Sequence, residues 1–179
     1  MTGFAKQARF LILAATLFFS AALSSQSARW AWKEYSYPQD GFAISLPVAP
    51  QAPHKDPNNT NMTVYTVHFT ADSGMSLRVV NENRDCAATL NQLKDGALHN
   101  KQPEQPINPK SVRDVSLGEY PGVEYEFRFD SEYTVYDRFV CVNGRFYNFS
   151  AKWPTKQPRP AAVNHAIESF KILKTKPPK

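Results

Sequence analysis

Hydrophobic positions in this chain alternate more often than they cycle. Phe42, Ile44 and Leu46 are separated by Ala43 and Ser45, a half-buried strand that stops at Pro47. Ahead of it, the aromatic run 30–37 predicts a first short strand. Tyr37-Pro38-Gln39-Asp40-Gly41 then predicts a turn: Pro fixes φ, and Asp-Gly supplies the positive φ of a tight reversal. Residues 48–61 are rich in proline and asparagine and read as an irregular surface loop. Two alternating runs, 62–69 and 75–80, meet across Asp72-Ser73-Gly74 and predict a hairpin. The period then changes. Cys86, Leu90, Leu93 and Ala97 recur at spacings of 4, 3 and 4, one face of a helix over 84–100 that Asn83 or Asp85 can cap.

After a proline-containing loop, 101–110, four strand signals follow closely. Residues 112–118 lead to a turn at Glu119-Tyr120-Pro121-Gly122. Val123, Tyr125, Phe127 and Phe129 alternate with Glu124, Glu126, Arg128 and Asp130. Residues 132–142 and 145–153 flank Asn143-Gly144, the strongest short hairpin signal. On the first of these two strands, Tyr133, Val135, Phe139 and Cys141 share one face, and Tyr136, Val140 and Val142 share the other. Two apolar faces on one strand predict a central position covered on both sides. A last helix is predicted over 161–170, with Val163, Ala166, Ile167 and Phe170 on one face. Hairpins dominate and no βαβ alternation occurs. The fold class is therefore α+β, an antiparallel β-sheet with helices packed on it.

The N-terminus changes the picture of where this domain folds. Lys6 and Arg9 precede an uncharged apolar run, 10–23, and small polar residues follow it. A membrane-spanning helix needs about 20 apolar residues. The run is 14 residues long, which suits the core of a signal peptide instead. Residues 1–28 are thus expected to be a Sec-type signal peptide, with cleavage between Ala22 and Arg29. No cysteine lies near that site, so a lipoprotein is not expected. Residues 29–179 are expected to form one periplasmic or secreted domain, with a flexible basic tail from about 174. Loss of Lys6 and Arg9 lowers the formal charge from +5 to +3. No basic stripe interleaves with stacking aromatics, so nucleic acid is excluded as a partner, and membrane association is peripheral at most.

Four segments in order resemble one family. YPQDGFAISLPVAP is similar to the opening strand of small secreted PsbP-like proteins, LGEYPGVEYEF to their turn and long strand, DRFVCVNGRFYNFSA to their central hairpin, and AIESFKIL to their final segment. The resemblance runs from about Tyr35 to Leu173 and implies an α/β/α sandwich. Photosystem members of that family assist oxygen evolution at a membrane complex, another protein of the fold binds a small GTPase, and many bacterial secreted members have no assigned role. The resemblance thus implies a fold and not a reaction. It matches no functional residue here.

The chemistry-bearing residues add little to that. Cys86 and Cys141 are the only two cysteines. One structural disulfide, two buried thiols and a catalytic thiol all stay open from sequence, and a disulfide would tie the first long helix to the central strand. His54, His68, His99 and His165 fall in a loop, a strand, a helix end and another helix, without a metal-ligand spacing. Glu124, Glu126 and Asp130 share a strand face that Asp137 could oppose; the expected state is a solvated face neutralised by Arg128 and Arg138. No phosphate loop, nucleophile elbow or zinc ribbon occurs, so neither cofactor nor metal is expected. The expectation is a non-enzymatic exported module that binds a protein partner or helps assemble a complex. The alternative is a carrier of a small apolar ligand on an aromatic-lined sheet face, and the third is an enzyme with an unrecognised site.

Overall fold

The computed structural model describes residues 30–100, 102 and 105–174. The expected signal peptide, residues 1–28, and nearly all of the tail expected from about 174 lie outside them. Among the described residues, ten strands and two α-helices occur in the order β1 (Lys33–Tyr37), β2 (Phe42–Leu46), β3 (His54–Asp56), β4 (Asn59–His68), β5 (Gly74–Val80), α1 (Cys86–Leu98), β6 (Arg113–Leu117), β7 (Tyr120–Phe129), β8 (Tyr133–Val142), β9 (Arg145–Pro154), α2 (Ala161–Ser169) and β10 (Lys171–Ile172). A 3-10 turn, Pro109–Ser111, precedes β6. Seven strands make one antiparallel sheet in the order β3-β4-β5-β9-β8-β7-β6, and β1-β2-β10 make a second. This is the α+β class that the periodicities predict.

The parity of β8 places the layers. Tyr136, Val140 and Val142 point into the main core with Tyr147, Phe149, Ala151 and Trp153 of β9. The small sheet and α2 close that face. Phe42, Tyr65, Phe149 and Phe170 pack edge-on or stacked there, with ring centroids between 4.7 and 5.4 Å apart in the closest pairs. Cys141 points to the opposite face, which α1 covers through a smaller cluster of Leu90, Val123, Cys141 and Phe146. A disulfide, Cys86–Cys141, joins α1 to β8 with its Cα atoms 5.5 Å apart.

Turn chemistry sets the registers. Asn143 and Gly144 take φ of 51° and 83°, so Val142 pairs directly with Arg145. Both values lie where L-residues are strained, and Asn and Gly tolerate them best. Gly144 has a second duty: a Cβ there would lie 2.5 Å from Asn83 Oδ1, because the turn abuts the residues that lead into α1. The Arg84 amide donates to the Gly144 carbonyl at 3.1 Å, and Asp85 caps the helix by accepting from the Ala88 amide at 3.0 Å.

Two local expectations are corrected. The turn before β7 is not Glu119-Tyr120-Pro121-Gly122. The chain reverses at Gly118-Glu119, and Tyr120, Pro121 and Gly122 already belong to β7, paired with β6. Pro121 lies one position beyond the β8 pairing that starts at Gly122, so its missing N–H breaks no bond in that ladder. Residues 48–61 are not wholly irregular either. Asp56 accepts from the Asn58 and Asn59 amides, reversing the chain so that β3 pairs with β4. Proline and asparagine signalled the turn and hid the short strand beside it.

Candidate functional site

The face of the sheet under α1 is only partly covered. The helix crosses β7 and β8 with Cys86 and Leu90 inward, and its next stripe overhangs the sheet. Thr89, Gln92, Leu93 and Gly96 form the roof of an open cleft of about 650 Å³. Tyr125, Phe127 and Asp137 form its floor. The far wall is Ile107, held by a bridge to Phe127 after the Asn108 amide bonds the Glu126 carbonyl, and Arg84, Asn100, Gln102 and Gln105 make the rest of the lining polar. Such a volume falls within the range of small-molecule sites, roughly 300–1,000 Å³.

Two residues are out of place there. Gly96 sits inside α1, where glycine costs about 1 kcal/mol relative to alanine. Nothing lies within 4 Å of where its Cβ would be. No contact within the protein demands the glycine, which is an exposed position on the lining of the cleft. Asp137 is the second. It pairs in register with Tyr125, among aromatic rings 5.9–6.3 Å apart (Tyr125 with Phe139 and Phe127). Its Oδ1 is closed from solvent and has no hydrogen-bond partner. Burial pushes the Asp137 carboxyl above the usual carboxylate range, although Ser150, Arg78 and Asn148 favour the ionised form. Burial also raises the Tyr125 hydroxyl, with the Asp137 charge adding to the effect.

The acidic row on β7 belongs to the other face. Glu124 lies opposite Arg138 and Glu126 opposite Tyr136, so Asp137 does not oppose them; it stands across from Tyr125, with its side chain on the α1 side. Nor is Glu124 solvated, being 5% exposed. Its two oxygens take the Tyr136 hydroxyl and the Arg113 Nε, both at 2.5 Å, with Arg138 Nε 3.9 Å away. Burial and the Glu124 contact raise the Tyr136 hydroxyl, and Glu124 raises the Arg113 guanidinium. Arg159, in the segment leading to α2, bonds Glu126 and lies 4.0 Å from the Tyr136 ring centroid. These charges are consumed by one another, and they pin the α2 segment to the sheet.

No family model matches the chain, and no curated protein does. Solved structures do. Cyanobacterial PsbP (CyanoP) from Synechocystis sp. PCC 6803 superposes over 82% of this chain and 95% of its own, with a TM-score of 0.56 and 10% identity. The chain has a PsbP-like fold. A structure from Bacteroides thetaiotaomicron matches over 79% of this chain with a TM-score of 0.52 and 12% identity; the present chain spans about half of that protein (48%).

Within this PsbP-like frame the sequence-level candidates scatter. Cys86 and Cys141 meet beneath α1, at one end of the helix that roofs the cleft. The histidines stand on four elements: His54 on β3, His68 at the end of β4, His99 capping α1 beside Asp95, and His165 on α2 against Trp32. Among the described residues no three His, Cys, Asp or Glu side chains gather to hold a metal. No helix among them is long and apolar enough to cross a membrane. The cleft itself was missed from sequence. A glycine within a helical pattern was the one available signal for it.

Proposed function

We propose that the protein is an exported, non-catalytic binding module that holds a small, largely apolar ligand in the cleft between α1 and the sheet. The observation that carries this reading is the cleft: about 650 Å³, floored by Tyr125 and Phe127 and bordered by Gly96, where no side chain stands. The aromatic-lined sheet face and the binding pocket are then the same surface. Export is supported by the N-terminal layout and by a disulfide that an oxidising compartment would maintain. A protein partner at this surface is the competing reading, and membrane contact is peripheral at most.

Affinity capture from the native exported fraction, followed by mass spectrometry of proteins and small molecules, tests both. The baits are the wild type and Gly96→Leu, which fills the roof while raising helix propensity. A small molecule captured by the wild type and lost by the variant supports the carrier. A protein captured equally by both baits, with no small molecule, favours the partner and removes the cleft from the account. Intact mass of the exported protein checks export itself: cleavage between Ala22 and Arg29 is expected, and a mass retaining residues 1–23 would refute it.

A further inference from the structure

We propose that the cleft takes a ligand joining a flat or branched apolar body to a protonated amine, with the amine at Asp137 and the apolar body against Tyr125 and Phe127. The inference rests on the binding reading above and names the ligand class.

Three observations point to a cation. First, Asp137 is the only acid among the described residues lining the cleft. Second, the protein leaves that acid under-compensated. Oδ1 has no partner, and the neighbouring groups do not offset burial. Arg78 favours the ionised carboxyl without overcoming its burial and bonds Asn148 Oδ1 at 3.1 Å; Arg84, which also lines the cleft, is held by Glu82 through Nε at 2.7 Å and a second nitrogen at 2.6 Å. An ammonium placed at the carboxyl would supply a charge-assisted hydrogen bond, about twice as strong as a neutral one. Third, the rest of the floor is aromatic, and aromatic faces attract cations through their quadrupoles. A carboxylate ligand would instead meet like charge at the one acidic position. A neutral hydroxyl could still donate to the carboxylate but would bring no positive charge to pair with it.

The position also makes sense as a trade. Ser150, Asn148 and Arg78 support a carboxyl at 137 on one side, while Tyr125 and Phe139 on the other would suit a hydrocarbon better. Groups that work against their own surroundings in a cleft are characteristic of functional sites. Gly96 fits the same logic, since it gives up helix propensity for open space over the same floor.

Three probes sharing one ring system separate the charge states: tryptamine, tryptophol and indole-3-acetate, titrated by calorimetry against the exported, disulfide-intact protein. Tryptamine should bind at least tenfold more tightly than either analogue. Asp137→Asn should erase that preference by weakening tryptamine at least tenfold and leaving tryptophol unchanged. Gly96→Leu should abolish binding of all three. Circular dichroism confirms that both variants are folded. Equal binding of the three probes, lost in Gly96→Leu, would overturn the amine assignment and leave the cleft standing. Binding that survives Gly96→Leu would overturn the cleft itself. A preference for tryptamine that persists in Asp137→Asn, or no binding of tryptamine, would overturn the amine assignment.

Discussion

Asp137 carries a carboxyl on an aromatic floor, and its protonation should be visible in stability. Burial raises its pKa above that of the unfolded chain. Between the unfolded and folded values, the native protein therefore holds more protons than the unfolded one. Stability then falls as pH rises through that window and stays lowered above it. Below both values the carboxyl is neutral in each state and the penalty vanishes. Asp137→Asn should thus melt at a higher temperature than the wild type at pH 7, with the gap closing as pH falls into the acid range. Thermal melts across pH check this; a variant that melts lower at pH 7 would contradict it. Glu124 should behave oppositely under mutation. Replacing it by Gln removes the counter-charge of Arg113 and of the largely buried Arg138, and should cost on the order of 1–3 kcal/mol in urea unfolding. From sequence these two acids looked alike. Period 2 gives parity within a strand, but the partner register decides which face each parity joins. Asp137 and Glu124 carry opposite parity relative to that register, and nothing local to either residue reveals it.

At the scale of elements, the legible features were those fixed by neighbouring residues. The Asn143-Gly144 turn, the capped α1 stripe and the alternating β7 all follow from local stereochemistry. What local rules could not give was the approach of one element to another. Gly144 is required twice, by its φ of 83° and by Asn83, whose Oδ1 and Cα would lie 2.5 and 3.3 Å from a Cβ there. Gly144→Val should therefore cost more than the left-handed backbone alone, which is roughly 1–2 kcal/mol. Because the turn supports the entry to α1, part of the loss should appear as reduced helix protection. Gly122 offers a comparison without the φ effect. It sits in β7, where a Cβ would lie 2.4 Å from the Phe139 carbonyl oxygen. Gly122→Ala should destabilise by forcing β7 and β8 apart, and chemical denaturation of the two variants separates backbone strain from strand contact. The same limit explains the missed β3. Its three residues are a strand only because β4 lies beside them.

The whole molecule is a three-layer arrangement with unequal layers. On one side, the small sheet and α2 share a continuous core with β4, β5, β8 and β9, built from aromatic and aliphatic residues, of which the larger each contribute about 1.5–3 kcal/mol on burial. On the other side α1 is held by a small cluster, a cap and the Cys86–Cys141 disulfide. The composition of the chain does not reveal this asymmetry, because apolar residues are counted alike on both faces. Its consequence is that the covalent link matters most where the packing is thinnest. The disulfide closes a loop of 55 positions, for which chain-entropy reasoning gives up to about 4 kcal/mol. Denaturing the protein without reductant should release no free thiol from these cysteines. In the reduced, folded protein, amide exchange should speed up first along α1, while β5 and β9 keep their protection until global unfolding. Tryptamine affinity should fall in parallel, since α1 is the roof of the cleft. Exchange that quickens equally in α1 and β9 would mean that the two layers unfold as one unit. The disulfide would then stabilise the whole domain rather than hold the cleft in shape.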